Sequence, residues 1–145
     1  MKTFTDNAGR SWTISVTVDA IKRVRSLLDV DLTEAASGKL IHQLADSPIL
    51  LCDVIYCIVK LQADEKGISD EDFGRAMAGD AIDQATTAFL EDLVNFFPSR
   101  KREMLQKVLV KLNNLQAIAA EVISKRLDSP ELEAQMRVEL ESIGD

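Results

Sequence analysis

The stretch Ser47–Leu61, SPILLCDVIYCIVKL, limits the fold more than any other part of the chain. Ser47 and Pro48 read as a helix N-cap and first helical residue. Wound at 100° per residue, its charged side chains, Asp53 and Lys60, fall on one narrow stripe. Ile49 and Tyr56 flank that stripe, and apolar residues from Leu50 to Leu61 cover the rest of the circumference. A helix apolar nearly all round must be buried by neighbours on several sides. The run is too short and interrupted to span a bilayer, which takes about 20 residues. It is therefore expected to be the hub of a helical domain.

The whole chain suits that role. With 145 residues it is long enough for one domain with a real core. An apolar fraction of 46% beside a charged fraction of 28% is that of a globular rather than a disordered protein. The net charge of −7 argues against a general nucleic-acid binder, which needs a basic surface, and against docking on anionic lipid. Met1 leads straight into polar residues, without the charged-then-apolar order of a signal peptide, so a cytoplasmic setting is expected. Cys52 and Cys57 lie about 140° apart on one helix and cannot bridge each other. They read as small core residues. With His42 the one histidine, no metal site and no cofactor are expected.

Residues 2–18 carry strand character. Thr3-Phe4-Thr5 precedes the turn-forming cluster Asp6–Arg10, and Trp12, Ile14, Val16 and Val18 then alternate with polar residues. That period-two pattern predicts a hairpin with one apolar face, which must pack on the helices or on another chain. Trp12 reads as its packing anchor, with ligand stacking the alternative. Asp19 is the expected N-cap of a short helix, Ala20–Leu28, with Lys22, Arg23 and Arg25 on its solvated side. Thr33 is expected to cap the next helix, through about Ala45, weakened in its middle by Gly38. His42 falls on the face away from Leu40 and Leu44 and reads as a surface residue.

After the hub, Gly67 suits a C-terminal cap and Ser69-Asp70-Glu71-Asp72 a helix start. The acids lack calcium-loop spacing, and Asp72-Phe73-Gly74 and Gly38-Lys39 lack any kinase or nucleotide-binding context. Asp80 is expected to cap an amphipathic helix to Phe97, with Ile82, Ala85, Phe89, Leu93 and Phe96 on one face; Pro98 closes it. The Phe96-Phe97 pair reads as core rather than ligand cage.

Ser99 opens the longest element, to about Leu127. Leu105, Val108, Leu112, Leu115, Ala119 and Val122 follow a heptad rhythm, broadened by Leu109 and Ile123. At 1.5 Å per residue it should span about 43 Å, more than a compact domain of this size is wide, so part of it projects or lies against something else. Arg100, Lys101 and Arg102 sit at its N-terminus, where the helix dipole favours acids. Asp70, Glu71 and Asp72 are candidate internal partners; solvation and an acidic binding partner are the alternatives. Ser129-Pro130-Glu131 begins a last helix with Leu132, Met136, Leu140 and Ile143 on one side. From Asp128 on there are six acids and one base, so this tail is either docked by its thin apolar stripe or frayed until a partner arrives.

The layout resembles the tail assembly chaperones of tailed phages and related prophage systems. The likeness rests on Phe4…Gly9…Trp12, on Gly67-Ile68-Ser69-Asp70-Glu71-Asp72-Phe73, on Gly79-Asp80, Ala85 and Ala88-Phe89, and on Phe96-Phe97-Pro98. It covers most of residues 4–98. It implies a small helical protein that binds a tape-measure protein during tail assembly, often as an oligomer. The long helix and acidic tail depart from the family's minimal form.

Taken together, a mainly α protein is expected: a helical bundle with a small N-terminal β-hairpin, residues 1–127 forming one domain and 128–145 an acidic helical tail. No nucleophile or paired acid and base can be named, so the expected function is non-enzymatic binding of another protein, of a second copy, or of both. The candidate binding residues are Arg100, Lys101 and Arg102, with Leu105, Val108, Leu112 and Leu115 on the heptad face. Leu132, Met136 and Leu140 extend the set into the tail. The alternative is a transcriptional or anti-phage regulator that uses helix 99–127 as a dimerisation arm.

Overall fold

The hairpin forms where period two predicts it: β1 (Lys2–Thr5) pairs antiparallel with β2 (Ser11–Ile14), with Phe4 opposite Trp12. The turn between them is held by the Asp6 carboxylate, which accepts from the backbone N–H groups of Ala8 (3.0 Å) and Arg10 (2.9 Å), while Gly9 takes a positive φ of 79°. The computed structural model describes residues 1–128 and 130–144, the side chains of 132 and 141–144 excepted. Helix makes up 77% of the chain and the hairpin is its one sheet among the described residues, so the protein is mainly α, as expected.

The chain divides into two units, Met1–Val108 and Leu109–Asp145. In the first, α1 (Val18–Leu28) is followed by a 3-10 helix (Leu32–Ser37), α2 (Lys39–Asp46), α3 (Pro48–Lys66), α4 (Asp70–Arg75) and α5 (Asp80–Phe96). The hub is α3. Ser47 caps it by accepting from the Leu50 N–H, Gly67 ends it at φ 67°, and Leu51, Val54, Ile55, Cys57, Ile58, Val59 and Ala63 are buried along it. Helices α1, α2, α4 and α5 and strand β2 all pack against it. Its two ends are less enclosed than its composition suggests, since Ile49 and Leu61 are exposed.

Polar side chains fix the hairpin on this helical body. Gln62 of α3 takes the place of a third strand: its Oε1 accepts from the Thr13 N–H (3.0 Å) and its Nε2 donates to the Thr13 carbonyl (2.6 Å). Lys66 donates to the Ser11 carbonyl (2.7 Å) and lies 4.5 Å from the centre of the Trp12 ring. On the other side Asp92 of α5, itself buried, accepts from the Val16 N–H (2.6 Å) and pairs with the Met1 ammonium (2.9 Å). The hairpin's apolar face thus closes on α3 and α5. Trp12 is fully buried edge-on to Phe73, centroids 5.3 Å apart, and is a packing anchor.

Several local expectations are corrected. The strand ends at Ile14, Val18 is exposed, and α1 starts two residues early because Thr17, not Asp19, caps it by accepting from the Ala20 N–H (3.2 Å). Asp19 instead pairs with Arg23 (2.6 Å). Arg23 is only partly exposed: its Nη1 donates to the Cys57 and Ile58 carbonyls, tying α1 to α3. The single helix expected from Thr33 to Ala45 is two pieces, because Gly38 adopts φ 84° and breaks it. Asp31, not Thr33, caps the first piece, accepting from the Thr33 N–H and hydroxyl. At α5 the cap position is Gly79, with Asp80 the first helical residue.

Beyond α5, the long helix α6 runs Ser99–Leu127 and α7 runs Pro130–Gly144, matching the expected elements. The chain's division falls at Val108, inside α6, rather than at the helix's end at Leu127. Ser129, the expected cap of α7, lies outside the described residues.

Candidate interaction surface

The start of α6 belongs to the packed unit. Phe97, which follows α5, is buried, and its carbonyl accepts from the Arg102 Nε (3.2 Å). The Phe96 and Phe97 rings meet edge to face at 5.3 Å, a core contact. Leu105 is 0% exposed, and Val108 is half-buried with its Cγ1 3.4 Å from where a Cβ on Gly38 would stand. These two predicted binding residues are therefore structural. Leu105 in particular is corrected from surface to core, because the heptad rhythm marks which side is apolar and not where along the helix its cover ends.

Past Val108 the character of α6 changes. Leu109 and Leu112 are half-exposed, and Leu115, Ile118, Val122, Ile123 and Leu127 are between 57% and 64% exposed. Residues spaced three and four apart share a helix face, so Leu112, Leu115, Ala119 and Val122 form one seam, widened by Ile123 on one side and Ile118 on the other. In α7, Met136, Val138 and Leu140 are exposed as well. The side chain of Leu132 lies outside the described residues. Scattered exposed apolar residues are normal on any surface, whereas a row of branched aliphatics along one helix face is not. Ile118 and Val138 escaped the sequence reading. Neither obeys the heptad spacing, although the width of the apolar belt on α6 was the available signal for Ile118.

The charge reverses after the end of α6. Helix α6 carries seven bases against two acids, and residues 128–145 six acids against one base. Arg100 and Lys101 are exposed, and Arg102 is half-exposed. Two of the three acids offered as their internal partners are engaged elsewhere: Asp72 and Glu71 pair with Arg75, at 2.9 and 4.0 Å, and the Asp72 carbonyl takes Arg10. On the polar sides of the two helices, Glu121 pairs with Lys125 (3.2 Å) and Glu133 with Arg137 (3.5 Å). Such exposed pairs contribute only a few tenths of a kcal/mol, about 0.3–0.5, to their helices.

Elsewhere, burial shifts two thiols and one carboxyl of α3. Burial, helped by the nearby Asp53, pushes the Cys52 and Cys57 thiols up, away from the nucleophilic thiolate. Burial and the charge of Asp70 likewise raise Asp53. His42 is exposed, 3.4 Å from Asp46. Among the described residues no group of three or more His, Cys, Asp or Glu side chains is placed to hold a metal ion, and no helix is long and apolar enough to cross a membrane.

Fold and surface together define a class: a mainly α protein whose hub helix and hairpin close one core, and whose long helix α6 carries an exposed aliphatic seam past Val108. No protein-family model, curated protein or solved structure matches this chain.

Proposed function

We propose that the protein is a non-enzymatic interaction protein, a tail assembly chaperone of phage or prophage type acting in the bacterial cytoplasm. In this reading the seam of α6 and the apolar residues of α7 receive amphipathic helical segments of a long tape-measure-like protein and keep them from aggregating. The observation that carries the reading is the uncovered row Leu115, Ile118, Val122 and Ile123. An exposed row of this kind along one helix face fits helix-in-groove recognition. The resemblance over residues 4–98 supplies the particular partner class.

The test is co-expression with the long helical protein encoded beside this chain's gene. The chain should keep that protein soluble and co-purify with it, and Leu115→Asp with Val122→Asp should abolish both while leaving the chain folded. No long helical product encoded nearby, or solubility that does not depend on the chain, refutes the reading. A second reading, a helical dimeric regulator, draws on the exposed Arg100 and Lys101. It requires salt-sensitive nucleic-acid binding that Arg100→Ala with Lys101→Ala removes.

A further inference from the structure

We propose that the outer edge of β1 receives an extended, basic segment of a partner protein, which adds to the hairpin as a third strand. The hairpin's two edges are finished differently. On β2, Thr13 turns its N–H and carbonyl outward to Gln62, and the Ser11 carbonyl is taken by Lys66. In an antiparallel pair, two opposed residues that do not bond each other both direct their backbone groups away from the pair. Thr3 stands opposite Thr13 and Thr5 opposite Ser11, so Thr3 and Thr5 present two N–H groups and two carbonyls along the outer edge of β1. Among the described residues no hydrogen bond from another element reaches them. Gln84 of α5, the glutamine on this side of the hairpin, is exposed and makes no side-chain hydrogen bond among the described residues. A strand edge left in this state is a template for a further strand.

An open groove of about 360 Å³ accompanies that edge, lined by Lys2 and Thr3 of β1 and by Asp83, Gln84, Thr87 and Glu91 of α5. Strand and helix run in opposite directions: Lys2 pairs with Glu91 (3.3 Å), while Asn7, beyond the strand's other end, donates to the Ala76 (2.9 Å) and Ala78 (3.1 Å) carbonyls just before α5. Side chains alternate along a strand, and here buried Phe4 and the Lys2 ammonium are on the helix side. The residue of an added strand that stands opposite Phe4 therefore also faces α5, between the level of Glu91 and the helix's start. The charge it carries follows from α5, which has acids at Asp80, Asp83, Glu91 and Asp92 and no base. Glu91 is paired with Lys2 and Asp92 with the Met1 ammonium, but Asp83 lines the groove exposed and without an ion pair among the described residues. A Lys or Arg opposite Phe4 meets Asp83, whereas an acid there is repelled. Backbone bonds to Thr3 and Thr5 hold a segment of any sequence, and the charge selects among sequences. Two edge residues make a short contact, which suits a transient partner.

This surface is separate from the seam of α6 on which the proposed function rests, so either can fail alone. The probe is the peptide acetyl-Thr-Val-Lys-Val-Thr-amide, whose lysine stands opposite Phe4 when its two valines stand opposite Thr3 and Thr5. Exchange of the Thr3 and Thr5 amide hydrogens with water is followed by NMR on the full chain. With a Kd of about 1 mM, about 10 mM peptide should slow both amides roughly tenfold. The same peptide N-methylated at both valines keeps its charge but cannot donate to the Thr3 and Thr5 carbonyls, and should leave the rates unchanged. A peptide with glutamate in place of the lysine should also leave them unchanged. Asp83→Lys, a substitution at an exposed position, should reverse that preference and favour the glutamate peptide. Amides that the lysine peptide does not slow overturn the inference. Equal slowing by the N-methylated peptide, or equal slowing by the lysine and glutamate peptides, overturns it as well.

Discussion

Replacing Asp6 by Asn tests how the hairpin is locked to its own turn. The Asp6 side chain is 0% exposed, and one of its oxygens, Oδ2, accepts from both Trp12 Nε1 and Arg10 Nε at 2.9 Å. The other accepts from two backbone N–H groups. Asn can keep the backbone pair through its carbonyl, but its amide then points a donor at two donors. The Trp12 N–H is left unsatisfied in the core, at a cost of about 1–3 kcal/mol, and the charge-assisted bond to Arg10 is lost. Arg10 is 26% exposed, so solvent reduces that second loss, and the total comes to roughly 3 kcal/mol. For a domain of this size that is on the order of 12–20 °C in melting temperature.

The same substitution carries a pH signature. Burial works against ionisation of Asp6, but the hydrogen bonds from Trp12 and Arg10 and the Arg10 charge outweigh it and hold the carboxyl below its ordinary value of 3.8. A carboxyl lowered on folding stabilises fully above its unfolded pKa, and that stabilisation fades as pH falls through the folded value. The parent chain should therefore lose stability below about pH 4, and the variant should lose less over the same interval. Urea unfolding followed by the emission of Trp12, the chain's one tryptophan, measures both. A loss under about 0.5 kcal/mol at pH 7, or identical acid slopes, would show that the carboxylate is not what holds the indole.

Further substitutions probe the remaining links. Gln62→Ala removes both side-chain bonds to Thr13 and should cost about 1–3 kcal/mol, with faster hydrogen exchange of the Thr13 amide as the site-specific readout. Leu105→Ala should cost about 2–5 kcal/mol and Leu115→Ala under about 0.5 in thermal unfolding, because the first is buried and the second exposed. Deleting residues 128–145 should leave the melting temperature of the Met1–Val108 unit unchanged; a fall of many degrees would show that the tail supports it. The Cys57 thiol should react with Ellman's reagent far more slowly in the native chain than in urea, since burial suppresses its thiolate.

What the sequence determined unaided is local and periodic. Helix existence followed from apolar spacing, and the ends of α3 and α4 followed from Ser47 with Pro48, Gly67 and Ser69, because a cap acts within its own turn. The hairpin's buried face was likewise readable from alternation, and the centrality of α3 from its lack of a polar side. The heptad seam of α6 and the charge reversal after it are also plain in the chain itself.

Tertiary structure alone decided which of several equivalent side chains does a task. Thr17 and Asp19 both suit a cap, and only the path leaving the hairpin selects Thr17. Asp6 and Asp92 look like ordinary surface acids until Trp12 and the Val16 amide, distant along the chain or hidden in a turn, require acceptors inside the core. Gln62 becomes a strand mimic solely because α3 runs beside the free edge of β2. Most of all, the apolar face of α6 is continuous in sequence, yet its cover stops near Val108. Burial is set by neighbours remote in the chain, and no periodicity within a helix records how many neighbours there are.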